Sequence, residues 1–264
     1  MPKPHATYAY CVVVNATRPR VARFAARLPG MGPVRLIDVD RELFLAVADA
    51  PLDLYGEAAI NRRLSDLDWV SRAAVAHEAV VESFIDASAV LPMKLFTMFM
   101  NDARAVAHVR GDRQRILSLA KRVANQHEWG IRVILDRARA LRMLTASNGS
   151  ELRRAVSRKS TGIAYLTRKK AQRDAGIELA ERARETVAAL YDRLAARATI
   201  ARRKTASELP VQGGPLLLDA AFLVPKTRAK SFQALAAREA KTLARHGYGL
   251  TLTGPWPPYS FVKD

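Results

Sequence analysis

The chain has 264 residues, 49% apolar and 26% charged, and its 43 Lys and Arg against 25 Asp and Glu give a formal net charge of +18. That length fits one large or two small domains, and that apolar content supplies a core, which excludes a disordered chain. One cysteine, Cys11, excludes an internal disulfide and a cysteine-based zinc site.

The elements follow in chain order. Ala6–Val14 reads as an apolar strand with Cys11 buried inside it. Pro19–Leu28 reads as a short helix closed by Pro29-Gly30. Val34–Val39 and Leu43–Ala48, separated by Asp40-Arg41-Glu42, read as a hairpin. A long helical region runs from Leu54 to Ala87, with an apolar stripe at Leu67, Val70, Ala74, Val81 and Phe84. On the same helix, Trp69 and His77 are eight positions apart, about 80° at 3.6 residues per turn, so both are expected to face the interior or a domain interface. Val90–Met100 reads as the next strand. The order βαββαβ is that of a ferredoxin-like unit, placed at residues 1–101.

A second α+β unit with long inserted helices is expected over 102–264. Asp102 reads as its first N-cap, and Val106, Val109, Ile116, Leu119 and Val123 mark an amphipathic helix. Trp129–Leu135 alternates as a strand, and Asn148-Gly149-Ser150 breaks the chain. A basic helical region then extends to about Lys204. Its apolar stripe at Leu179, Ala183, Val187, Leu190 and Leu194 suits a helical hairpin or a coiled-coil-like pairing. Residues 150–204 carry fifteen Lys and Arg and six Asp and Glu, half of the whole excess charge. Glu208–Pro215 reads as a linker, Leu216–Val224 as a strand, Ala229–His246 as a helix and Tyr248–Leu252 as the last strand.

The chain ends in Thr253-Gly254-Pro255-Trp256-Pro257-Pro258-Tyr259-Ser260-Phe261. Pro lacks an N–H and fixes φ, so pairing is expected to stop at Gly-Pro. Three aromatics on so stiff a track bury large areas at little entropic cost. The segment carries no ionisable catalytic group, so it is either a lock on its own chain or a docking surface. As a lock, it would use Trp256 and Tyr259 as anchors.

No constellation for catalysis emerges. His5, His77, His108, His127 and His246 lack metal-ligand spacing. His127-Glu128 lacks the second histidine of a zinc-protease helix. Ser118-Leu119-Ala120-Lys121 lies mid-helix without the companion elements of a serine–lysine nucleophile. Gly213-Gly214-Pro215 leads into a strand instead of a helix N-terminus, so it is no phosphate loop. No cofactor, metal or enzymatic activity is expected. The N-terminal apolar run is too short for a signal peptide, and the longest apolar stretch, Leu216 to Val224, is interrupted by Asp219, so no membrane span and a cytoplasmic location are expected. Excess positive charge favours acidic partners, and a basic nucleic-acid-binding protein is the alternative reading. The basic helix has only Tyr165 and Tyr191 for base stacking, which argues against it.

Four segments stand out in order. The first is Leu67-Asp68-Trp69-Val70, with Ala76-His77-Glu78 and then Val90-Leu91-Pro92-Met93-Lys94-Leu95-Phe96-Thr97. Next come Glu128-Trp129-Gly130-Ile131-Arg132-Val133 and Gly162-Ile163-Ala164-Tyr165-Leu166. The fourth is the closing segment with Pro255, Trp256, Tyr259 and Phe261. Together they resemble the gas vesicle accessory proteins of the F and L type. In place of the family's usual Phe-Gly-Thr stands Leu95-Phe96-Thr97, so Phe96 replaces a glycine, the residue that marks a bulge or a close approach in a strand. The resemblance implies a ferredoxin-like domain followed by an α+β domain with long helices. It implies a role in building gas vesicles, with the hydrophobic shell protein and other accessory proteins as partners, and no catalytic residue. Trp69, His77, Pro92, Lys94, Trp129, Tyr165, Pro255, Trp256, Tyr259 and Phe261 are the candidate structural or interaction residues. F-like and L-like membership both stay open. For the shell protein, an edge strand and a groove between the domains are both candidate surfaces.

Overall fold

The computed structural model describes residues 4–21, 28–143, 161–204 and 214–262. These divide into two compact units, 1–128 with 255–264, and 129–254. The boundary expected at 101/102 therefore lies near 128, and the last residues return to the first unit.

In the first unit, β1 (His5–Val14), β2 (Arg35–Asp38), β3 (Leu43–Pro51) and β4 (Ala89–Pro92) form a sheet of order β2-β3-β1-β4. Every neighbouring pair is antiparallel. This is the strand order expected of a ferredoxin-like unit; most of the helix expected at 19–28 lies outside the described residues. The β2–β3 turn is tied by Asp40, whose carboxylate accepts from the N–H groups of Glu42 and Leu43. Three helices follow: α1 (Leu52–Tyr55), α2 (Glu57–Arg63) and α3 (Leu67–Glu82). Asp66 caps α3 by accepting from the Trp69 N–H at 3.0 Å. The buried stripe of α3 is Ala73, His77, Val80 and Val81, whereas Leu67, expected on it, is exposed.

The strand expected over Val90–Met100 is interrupted. β4 pairs with Cys11–Val14, and a two-residue β5 (Met98–Phe99) returns to pair with Thr7 and Tyr8. Residues 93–97 thus bulge out opposite Ala9 and Tyr10. A second irregularity, between Ala9 and Cys11 on β1, moves Tyr8, Tyr10, Cys11 and Val13 onto one face. These pack with Phe44, Ala46 and Ala48 of β3 against α3.

On the opposite face lie α4 (Asp102–Gly111) and α5 (Arg113–Val123), which bury Ala105, Val109, Ala120 and Val123. The N-cap of α4 is Asn101 and not Asp102: its side chain accepts from the Arg104 N–H at 3.0 Å. The Asp102 carboxylate instead accepts from the Thr7 hydroxyl at 2.7 Å and from Arg35 at 3.1 Å. These contacts, with two from Arg110 to the Val39 carbonyl, fix the helices to the sheet.

The second unit holds most of β6 (Gln126–Leu135), then β7 (Ile200–Arg203), β8 (Leu216–Pro225) and β9 (Tyr248–Trp256), in the order β7-β8-β6-β9. Counted within the unit, this is again second-third-first-fourth. A helix starts at 137 (α6, helical to 143, where the described residues end) with Asp136 accepting from the Arg139 N–H. The basic helix, α7 (Thr161–Ala195), ends nine residues before Lys204, and β7 takes up part of that expected helix. Its stripe of Leu179, Ala183, Val187, Leu190 and Leu194 packs onto the sheet and onto α8 (Ala229–Ala244), in one core with Ala140 of α6. The break expected at Asn148-Gly149-Ser150 and most of the 208–215 linker lie outside the described residues. Pro255 does not end the last strand: β9 continues to Trp256.

Candidate functional site

The first unit has a cleft of about 790 Å³ at the β4 edge, where the two helix layers overhang the sheet. From α3 come Ala74, His77 and Glu78. The β4 edge and its bulge give Leu91, Pro92, Lys94 and Leu95. α4 and α5 give His108, Arg115, Ile116 and Leu119, and the C-terminal segment gives Tyr259 and Val262. The wall is mostly apolar with charges near its rim, the make-up of a binding surface more than of a reaction centre.

His77 sits at its inner wall, 3% exposed. Tyr8 and His77 share a hydrogen bond of 2.7 Å between the hydroxyl and Nδ1. The Tyr8 oxygen also accepts from the Phe96 N–H at 3.3 Å, which ties the 93–97 bulge to the Tyr8–His77 pair. Nε2 faces the Met93 main chain short of hydrogen-bond geometry. Burial pushes the His77 pKa down to about 4, so the ring is neutral around pH 7. The buried ring holds the Tyr8 hydroxyl, and that hydroxyl holds the bulge at Phe96.

Phe96 lies in that bulge at φ 64, in the left-handed region that glycine favours. Its ring stacks on Trp69 at 5.3 Å and 9°, and Arg63 lies over the Trp69 ring at 5.5 Å. Trp69 is therefore half-buried, packed against the core and covered by Phe96 and Arg63.

The C-terminal segment packs into the first unit. Pro257 and Pro258 are buried and Phe261 is fully buried. The buried Glu128 carboxylate accepts from the Ser260 N–H at 2.7 Å and from its hydroxyl at 2.6 Å. Tyr259 packs on the core, and burial raises its hydroxyl pKa, with Glu78 adding to the effect. Trp256, expected as an anchor, is 36% exposed, and Pro255 is exposed too. The anchors are Tyr259, Phe261 and the two prolines, because the strand turns into the unit only after Trp256.

Of the candidate residues, the cleft brings together His77, Pro92, Lys94 and Tyr259. Trp129 is elsewhere, in the core of the second unit against Phe232 at 6.2 Å. Tyr165 lies on α7, its side chain outside the described residues. Sequence reading missed Glu128, Ser260 and Leu119. Glu128 carried a signal, an acidic residue directly before the alternating apolar positions Trp129, Ile131, Val133 and Leu135. Among the described residues, no group of three or more His, Cys, Asp or Glu is placed to hold a metal ion, and no helix is long and apolar enough to cross a membrane.

Comparison with known proteins gives one consistent result. Residues 6–263 match the family model described as gas vesicle synthesis protein GvpL/GvpF. The chain is 29% identical to gas vesicle protein L of Streptomyces sp. (strain CB03234) over 97% of its own length and 92% of the relative's. It is 26% identical to gas vesicle protein F of the same strain, covering 97% and 99%. In fold it is similar to the crystal structure of GvpF from Anabaena sp. PCC7120, with a TM-score of 0.70 at 15% identity, covering 98% and 99%. GvpF from Microcystis aeruginosa gives 0.65 at 14% identity, with the same coverage. The chain belongs to the gas vesicle synthesis protein GvpL/GvpF family.

Proposed function

We propose that this protein is a non-catalytic accessory factor of gas vesicle assembly, acting in the cytoplasm at growing vesicles. It binds the hydrophobic shell protein and other accessory proteins. The observation that supports this reading best is the cleft, in which residues of separate family-like segments, His77, Pro92, Lys94 and Tyr259, share one mostly apolar wall. A shell subunit with a gas-facing apolar side aggregates unless a partner covers it. An apolar cleft with charged edges suits transient cover of that kind.

The test is co-purification of shell protein with the tagged full chain from cells expressing both. Wild type is expected to recover shell protein, and Leu119→Arg, which puts a charge on the half-buried wall of α5, is expected to recover much less at an unchanged melting temperature. No recovery by wild type, where another accessory protein does recover it, overturns the reading. A steep salt-dependent gel shift that is lost when Arg202, Arg203 and Lys204 are neutralised would put nucleic-acid binding in its place.

A further inference from the structure

The edges of the two sheets are unlike one another. β2 has four residues, and two of them, Arg35 and Asp38, hold ion pairs with Asp49, Asp102 and Arg18. β7 also has four, and Arg202 and Arg203 are exposed on it. At the remaining edge of the first sheet, four-residue β4 gives way to the 93–97 bulge. Shortness, charge and bulging are the usual defences of an edge against strand pairing. β9 is different. It has nine residues, none charged, and among the described residues its one strand neighbour is β6. Ile134 lies against Gly249 and Thr253 against Gly130, so β9 runs antiparallel to β6 and offers its other side as an edge. Gly249, Thr251 and Thr253 are exposed in alternation.

We propose that the 248–253 edge of β9 is a strand-addition site for an extended, uncharged segment of the gas vesicle shell subunit. This rests on the reading that the protein binds that subunit. A row of main-chain N–H and C=O groups is matched by another extended strand and not by a helix, whose own groups are already paired. The small side chains at 249, 251 and 253 leave room for bulky apolar neighbours on the added strand. A second copy of this chain fits less well. Two chains of +18 repel, and a β9–β9 pair would set small side chains against small ones.

The experiment uses the full chain and, as probe, overlapping ten-residue synthetic peptides spanning the shell subunit. Thr251→Pro and Leu252→Pro remove N–H groups that point to opposite sides of the strand. One lies in the β6 ladder and is expected to destabilise the protein. The other faces outward and is expected to keep the circular dichroism spectrum and lower peptide affinity at least tenfold. Thr251→Lys, which charges the edge without breaking the strand, is expected to do the same. Amide exchange at 249–253 is expected to slow at least tenfold at saturating peptide. Wild-type-like binding by Thr251→Lys and by the folded proline variant, or unslowed exchange at 249–253, overturns the edge assignment while shell binding stands. Concentration-dependent dimerisation abolished by the same variants overturns it in favour of a second copy. If wild type binds no shell protein or peptide, the functional reading itself falls.

Discussion

Both units set their first strand in the middle of the sheet, between the third and the fourth, but the two strands are buried differently. Eight of the ten residues of β1 are buried, on both faces, because α3 covers one and α4 with α5 the other. β6 instead alternates, with Trp129, Ile131, Val133 and Leu135 on the core and Arg132 exposed. The segments record this: Tyr-Ala-Tyr-Cys-Val-Val-Val in β1, Trp-Gly-Ile-Arg-Val-Ile-Leu in β6. One strand order therefore serves two layer plans, and the covering helices decide which pattern a strand needs.

The comparison breaks first at the C-terminal segment, which counts with the first unit although its strand belongs largely to the second. Phe261→Ala removes a fully buried ring and is expected to cost roughly 3–5 kcal/mol, read by urea denaturation. Truncation after Thr253 also leaves the Glu128 carboxylate without Ser260 and is expected to cause aggregation. A truncated chain that keeps its melting temperature but loses shell protein would make the segment a docking surface.

The second contrast is pH. His77 is buried and neutral in the first unit, whereas the second unit's one histidine, His246, is exposed. The folded pKa of His77 is lowered from 6.5 to about 4. Below 6.5 the unfolded chain takes up a proton that the folded chain refuses, so stability falls as pH drops from 6.5 toward 4. The loss approaches roughly 3 kcal/mol. Thermal melts between pH 7 and 4 should show it, and His77→Phe should flatten that slope. A wild-type profile equally flat would place the imidazole in contact with water.

Much of this was legible in the residues. The strands of β1, β3 and β8, the stripe of α7 and helix α8 follow from apolar period alone. The unit boundary did not, because periodicity gives α4 and α5 an apolar face without saying which sheet it meets. Nor did β5: two residues carry no period, and only the main chain of Thr7 and Tyr8 defines them. In the cleft, Pro92 and Tyr259 were legible as stiff or aromatic residues in distinctive segments. Leu119 was legible as core, not as wall, since a partner surface and an interior call for the same side chain. Trp256 misled because a stiff aromatic segment reads alike whether its ring turns in or out.

A third contrast lies in ion pairs. In the second unit Arg193 grips the buried Glu239 with two hydrogen bonds, of 3.0 and 2.8 Å. Those of Arg35 in the first unit lie among partly exposed groups. Arg193→Met strands a carboxylate and is expected to cost about 1–3 kcal/mol. Arg35→Met is expected to cost less than about 1 kcal/mol, as exposed pairs do. Equal losses in urea titrations of the two variants would remove the contrast.

The smallest effect concerns backbone strain. In the second unit, every positive φ among the described residues falls on glycine, at Gly214, Gly247 and Gly254; the first also places Phe96 and Asn125 there. Holding Phe96 left-handed costs about 1–2 kcal/mol. Its stack on Trp69 returns about 0.5–1.5 kcal/mol, plus the apolar area it covers. These nearly cancel, so Phe96→Gly is expected to change stability by less than about 1 kcal/mol. Phe96→Ala loses the stack and keeps the strain. The gap between the two variants isolates the backbone contribution, and glycine is expected to be the more stable by about 1 kcal/mol. Calorimetric melts of both should resolve a difference of that size. If alanine equals glycine, the bulge relaxes out of the left-handed region once the ring is gone, and the stack on Trp69 is what holds it there.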